Sequence, residues 1–135
     1  MAVAKAGSLT PAGVPSSTMQ NLTTINTNSI SRGPRALSPE TSGTYTFANA
    51  ALYCYNLSSA AQYAMDGDTT TVYTDWRLPT AEELGVFIGQ TTSTNYIWTT
   101  TVYPSTNSYW FILNLVNGYW GSNAYNDNGY VRCVR

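Results

Sequence analysis

The chain has 135 residues, room for one domain and little more. Only 10% of the residues are charged, against roughly a quarter in ordinary globular proteins, and the net charge is −1. The six Lys and Arg are scattered, which excludes the clustered basic surface that nucleic acid requires, and no apolar run reaches the ~18 residues of a membrane-inserted helix.

The opening "MAVAKAGSLTPAGVPSS" has one lysine and no apolar core, so it does not read as a secretory signal. Residues 1–44 contain no Phe, Trp or Tyr and are rich in Ser, Thr, Pro, Gly, Ala and Asn. Such a segment has too little apolar surface to fold alone, and by itself reads as a flexible tail. Its short apolar points, Leu22, Ile25, Ile30 and Leu37, suit it to dock on its own domain or on a neighbouring subunit. It is therefore read as an extended assembly or anchoring arm, expected to link further copies in a homo-oligomer or larger assembly. Residues 45–135 hold all eleven tyrosines, the four tryptophans and the three phenylalanines, and form the folded domain.

In that domain "TFANAALYCYNL" (46–57) places Phe47, Ala50, Ala51, Cys54 and Leu57 at helical spacing behind a candidate N-cap, Thr46. The stretch "DWRLPTAEELGVFIG" (75–89) carries a capping box, Thr80 with Glu83, then an apolar face of Leu84, Phe87 and Ile88, and Gly89 as a stop. Glu82 and Glu83 fall in the first turn, where the helix dipole favours carboxylates, so capping explains them better than catalysis. After Gln90 the apolar period becomes two. Residues 95–103, 108–116 and 129–135 read as strands, the second carrying apolar groups on both faces and therefore central. Asn117-Gly118 is a hairpin signal, and residues 120–129 read as a loop. The expected fold class is α+β: two helices followed by an antiparallel sheet.

Chemistry-bearing groups are few. With no histidine in the chain, the usual general base and the commonest metal ligand are missing, and no nucleophile stands beside an activating partner. No enzymatic activity and no cofactor are expected. "MDGDTTT" (65–71) has an Asp-x-Asp pair without the other ligands of a calcium loop, and reads as a turn. Cys54 and Cys133, in the first helix and the last strand, either form a crosslink or remain buried thiols.

The segments "ALYCYNL", "DWRLPTAEEL", "YIWTTTVYPSTNSYWFILNLVNGYW" and "NGYVRCVR" together resemble the Lcl-C-terminal-type domain of bacteria and phages over about residues 45–135. That domain is similar to the C-type lectin fold and to formylglycine-generating-enzyme-like domains. The resemblance implies a C-type lectin-like fold, a Cys54–Cys133 disulfide, and a surface position for the segment before the last strand. In calcium-dependent lectins that surface holds acidic ligands; here Asn126, Asp127 and Asn128 are a partial echo, and one carboxylate makes a poor calcium site. Formylglycine-generating enzymes need reactive cysteines, whereas both cysteines here match the structural pair.

From Thr91 to Tyr130, 24 of 40 residues are Asn, Tyr, Ser or Thr, and Asp127 is the only charge. Tyrosine offers broad contact area at low rotamer cost and Ser and Asn add adaptable hydrogen bonds, the set used by antibody contact loops. Ile97, Trp98, Phe111, Ile112, Leu113, Leu115 and Val131 are expected to be core. Tyr103, Tyr109, Tyr119, Trp120 and Tyr125 flank turns and are candidate ligand contacts, surrounded by Ser105, Thr106, Asn107, Ser122, Asn123, Asn126, Asp127 and Asn128. The pattern also resembles the variable proteins of diversity-generating retroelements, including phage tropism determinants. These features together lead us to expect a receptor-binding, adhesin-like module that contacts a host-surface protein or glycan. Its expected place is a virion surface, as a phage fibre or decoration, or alternatively the extracellular surface of a bacterium. A structural decoration or filament subunit is the competing expectation.

Overall fold

The computed structural model describes residues 33–104 and 108–135. Among these, seven strands and two helices follow one another as β1 (Ala36–Leu37), α1 (Phe47–Asn56), β2 (Ser59–Ala60), β3 (Tyr63–Ala64), β4 (Val72–Tyr73), α2 (Ala81–Gly85), β5 (Tyr96–Val102), β6 (Tyr109–Asn114) and β7 (Trp120–Ala124). The architecture is α+β, with every strand pair antiparallel: β1 with β3, β2 with β4, and a three-stranded sheet in the order β5-β6-β7. β6 is the central strand of that sheet, as its two apolar faces required.

The two faces of β6 feed two cores. On one side Trp110 and Ile112 meet α1 and the disulfide, in a cluster with Phe47, Ala50, Cys54, Trp76, Trp98 and Cys133. The Phe47 ring stacks on Trp110 at 4.5 Å and meets Trp98 edge-on at 5.6 Å. On the other side Leu113 joins Leu84 and Phe87 from the α2 region, with Leu37, Ile97, Leu115 and Val134. Burying side chains of this size contributes about 1.5–3 kcal/mol each, and that burial holds α2 in place: five residues are too few for a helix to persist alone.

Several elements differ from the sequence expectation. Regular α-helix in the 75–89 stretch is confined to Ala81–Gly85, continuing as turns to Gly89, whose φ of 87° ends it. Phe87 is fully buried but Ile88 is 40% exposed, because the turn rotates it off the face that Leu84 and Phe87 bury. Thr46 takes the N-cap position of α1 without a side-chain cap bond. Residues 120–124, expected as loop, form β7, whose backbone pairs along β6 from Leu113↔Trp120 to Tyr109↔Ala124. Gly121 lies over Ile112, 3.5 Å from where a Cβ would stand, an ordinary contact distance. Residues 129–135, expected as a strand, make isolated bridges to four different segments, at Tyr45, Ile97, Arg77 and Leu37. The alternation of V-R-C-V-R is real, but no single strand runs beside it.

The packed body begins before residue 45. Ala36, Leu37 and Ser38 are buried, β1 pairs with β3, and Ser38 N–H donates to the Cys133 carbonyl at 2.9 Å. Glu40 accepts from Ser93 and Asn95 and sits 3.6 Å from the buried Arg132 guanidinium. The docking point Leu37 thus lies on its own domain; Leu22, Ile25 and Ile30 fall outside the described residues.

The β6–β7 turn places Gly118 at φ 79°, with Ile88 Cδ1 3.1 Å from where a Cβ would stand. Left-handed backbone costs a side-chain-bearing residue about 1–2 kcal/mol. Gly118→Ala is expected to lower stability by at least that amount in urea unfolding, with the hydrogen bond from Asn114 N–H to the Tyr119 carbonyl weakened locally.

Candidate functional site

Strand register sorts the candidate contact residues. Cross-strand partners share a face, and alternate residues switch faces. Tyr109, Phe111 and Leu113 therefore lie on one face of the sheet with Ala124, Ser122 and Trp120, while Trp110 and Ile112 lie on the other with Asn123 and Gly121. α2 covers the Ile97–Leu113 end of the first face. The remaining end carries three rings in mutual contact: Tyr103 to Phe111 at 5.4 Å, Phe111 to Trp120 at 5.1 Å, and Tyr103 to Trp120 at 5.9 Å. Trp120 is nevertheless 57% exposed and Tyr109 39%. Phe111, expected as core, is half-buried because it forms the floor of this cluster; Ile112 is half-buried against the α1 core.

The sheet brings Tyr103, Tyr109, Trp120 and Ser122 together. It does not bring the rest there. Tyr119, whose carbonyl accepts from Asn114 N–H, falls by alternation on the opposite face and is 67% exposed. Asn123 faces the α1 side and donates through Nδ2 to the Asn128 carbonyl at 3.2 Å. Tyr125 to Asn128 form an exposed turn beside the start of α1, where Phe47 N–H donates to the Tyr125 carbonyl. Asp127 closes that turn: its carboxylate accepts from Ala124 N–H at 2.9 Å, and its own N–H donates to the Ala124 carbonyl at 3.0 Å. Ser105, Thr106 and Asn107 lie outside the described residues.

Both surfaces rest on a rigid support. The Trp98 indole donates to the Tyr45 carbonyl at 2.7 Å, and a Cβ on Gly129 would come within 2.9 Å of the same indole nitrogen. Cys54 and Cys133 form a disulfide with Cα atoms 5.6 Å apart, joining α1 to the C-terminal segment.

Elsewhere, Asp66 and Asp68 form a turn, Asp68 Oδ1 accepting from the N–H groups of Thr70 and Thr71. These bonds hold the Asp68 carboxyl well below the usual carboxylate range. Among the described residues no group of three or more His, Cys, Asp or Glu is placed to hold a metal ion, and no helix is long and apolar enough to cross a membrane.

A groove that the sequence reading missed runs along the outer side of α1. It has a volume of about 410 Å³ and is lined by Tyr45, Asn49, Leu52, Tyr53, Asn56 and Leu57. The Tyr45 and Tyr53 rings are 5.3 Å apart. Burial, together with the neighbouring Tyr45 phenol, pushes the Tyr53 hydroxyl above the ordinary tyrosine range. Part of the signal was present in the sequence: Asn49, Tyr53 and Asn56 recur at intervals of four and three, one helical stripe, with Tyr45 just before the N-cap.

The fold and surfaces thus define a charge-poor, disulfide-closed α+β domain that presents rings, amides and hydroxyls. The chain belongs to the Lcl C-terminal domain family, which it matches over residues 18–135, beginning well upstream of the resemblance noted at residue 45. No curated protein and no solved structure matches it.

Proposed function

We propose that this domain is a non-enzymatic binding module with a C-type lectin-like scaffold, displayed on a phage particle or a bacterial surface, that holds a host-surface protein or glycan. The observation that carries the reading is the ring cluster of Tyr103, Phe111 and Trp120, with Tyr109 beside it: large aromatics in mutual contact on the sheet, of which Trp120 and Tyr109 are exposed. Aromatic residues dominate the energetically decisive part of contact surfaces. Family membership and the bond between α1 and the C-terminal segment support the scaffold assignment. The chain upstream of β1, rather than the whole of residues 1–44, tethers the module to neighbouring subunits, and display in many copies turns modest single-site affinity into avidity. The Asn, Tyr, Ser and Thr positions of the C-terminal third fit diversification by a retroelement; a template repeat next to the gene is the expected companion.

Substituting Tyr109→Ala and Trp120→Ala, separately, is expected to abolish attachment of the purified protein to host cells. Stability should change by less than about 0.5 kcal/mol for Tyr109, an ordinary exposed position, and by about 1–2 kcal/mol for Trp120, which loses two ring contacts. Cell attachment by flow cytometry and thermal unfolding check the two halves. Unfolding of both variants, or undiminished attachment by both, contradicts the proposal and favours a structural subunit.

A further inference from the structure

We propose that the groove on α1 is a second binding site, separate from the sheet surface, and that it takes a neutral saccharide of one or two rings. A solvent-facing helix side ordinarily carries charge. α1 carries none in ten residues, and its outer stripe is Asn49, Leu52, Tyr53 and Asn56. Asn49 and Asn56 are exposed, and neither side-chain amide is engaged with another described residue. Each therefore offers two donors and an acceptor to an incoming molecule.

The lining selects the ligand class. A charged ligand finds no counter-charge there, so ionic headgroups and acidic or basic peptides gain nothing. A purely apolar ligand leaves two amides and two phenols desolvated without partners, which opposes its binding. A folded protein needs ~20–30 residues a side for a stable interface, far more than this groove presents. Sugar hydroxyls donate and accept together, which suits amides spaced about two turns apart. The apolar face of a pyranose suits the Tyr45 and Tyr53 rings, and the volume lies in the range of small-molecule sites. At one end of the groove, Tyr45 exchanges backbone hydrogen bonds with Gly129 at 2.9 Å each, next to the exposed 125–128 turn.

The test is a titration of the isotopically labelled full chain with glucose, galactose, mannose, N-acetylglucosamine, lactose and cellobiose, followed by backbone and side-chain amide NMR. At least one of these is expected to shift the Asn49 and Asn56 side-chain amides and the Tyr53 backbone resonance, saturating with a millimolar-range midpoint. In Asn49→Ala/Asn56→Ala, with both changes at exposed helical positions that favour folding, the affinity for that sugar is expected to fall at least tenfold. Tyr53→Phe should keep most of it. Trp120→Ala should leave the titration unchanged, which separates this site from the sheet surface. The proposal is overturned if no sugar moves the groove resonances, if shifts appear only around Trp120, if the double variant binds as well as the parent, or if sialyllactose displaces the neutral sugars more effectively than they bind.

Discussion

Glu83→Ala is expected to destabilise the domain by about 3–5 kcal/mol, the cost of removing one partner from a buried ion pair. Arg77 is 6% exposed, and Glu83 meets it with both oxygens, at 2.7 and 2.6 Å. The same carboxylate accepts from Thr80 N–H at 2.9 Å, while Thr80 Oγ1 accepts from Glu83 N–H at 3.1 Å. One side chain therefore caps α2 and neutralises a buried guanidinium through Nη1 and Nη2, its Nε having no hydrogen-bond partner among the described residues. Arg77 in turn holds the C-terminal segment through its backbone, exchanging hydrogen bonds with Val134 at 2.9 and 2.8 Å. The variant should unfold at lower urea concentration with an unchanged slope.

Acid should expose the same linkage. Burial raises the Glu83 carboxyl, but the Arg77 hydrogen bonds and the Thr80 N–H more than reverse this, and its folded value lies below the usual glutamate range. A carboxyl depressed by folding contributes stability that is fully present above its unfolded value, about 4.3, and lost as pH falls through the folded value. Stability of the parent should therefore decline on acidification below about pH 5. Glu83→Gln, which has no charge to titrate, should decline less steeply. Equal slopes in both proteins would show that the ion pair makes no contribution.

Reducing the disulfide, or replacing Cys54 and Cys133 with alanine, is expected to be the other large loss. The bond closes a loop with a sequence separation of 79, for which chain entropy gives about 4.5 kcal/mol as an upper figure. For a domain of this size that corresponds to a fall of roughly 20–35 °C in Tm. Calorimetry with and without reductant measures it. A fall of only a few degrees would mean that the ends stay joined without the bond, through β1 and the Val134 bridges alone.

What the sequence made legible was local. The Thr80–Glu83 capping box, the Asn117-Gly118 turn and the central position of β6 each depend on residues a few positions apart, and each is present. The disulfide entered through a family resemblance rather than through spacing, and it too is present. The misreadings share a cause. β7 has no apolar alternation because Trp120 and Ser122 face outward and Gly121 merely clears Ile112, so its strand character comes wholly from the β6 backbone. The V-R-C-V-R segment alternates convincingly yet has four different neighbours, which only the closed chain assembles. Division of the contact residues between two sides of the sheet follows from register, a property of strand pairs that no single stretch records. The α1 groove was within reach, because helical spacing alone aligns Asn49, Tyr53 and Asn56; its significance lay in the charges that were missing.

The single carboxylate between residues 91 and 130, Asp127, is occupied by the Ala124 backbone. With one carboxylate on this stretch and a net charge of −1 for the chain, a partner approaching these strands meets only a weak long-range field, and encounter proceeds near the unguided rate, on the order of 10⁵–10⁶ M⁻¹s⁻¹. Added electrolyte should change that rate little. Discrimination between partners then falls to how long each one stays.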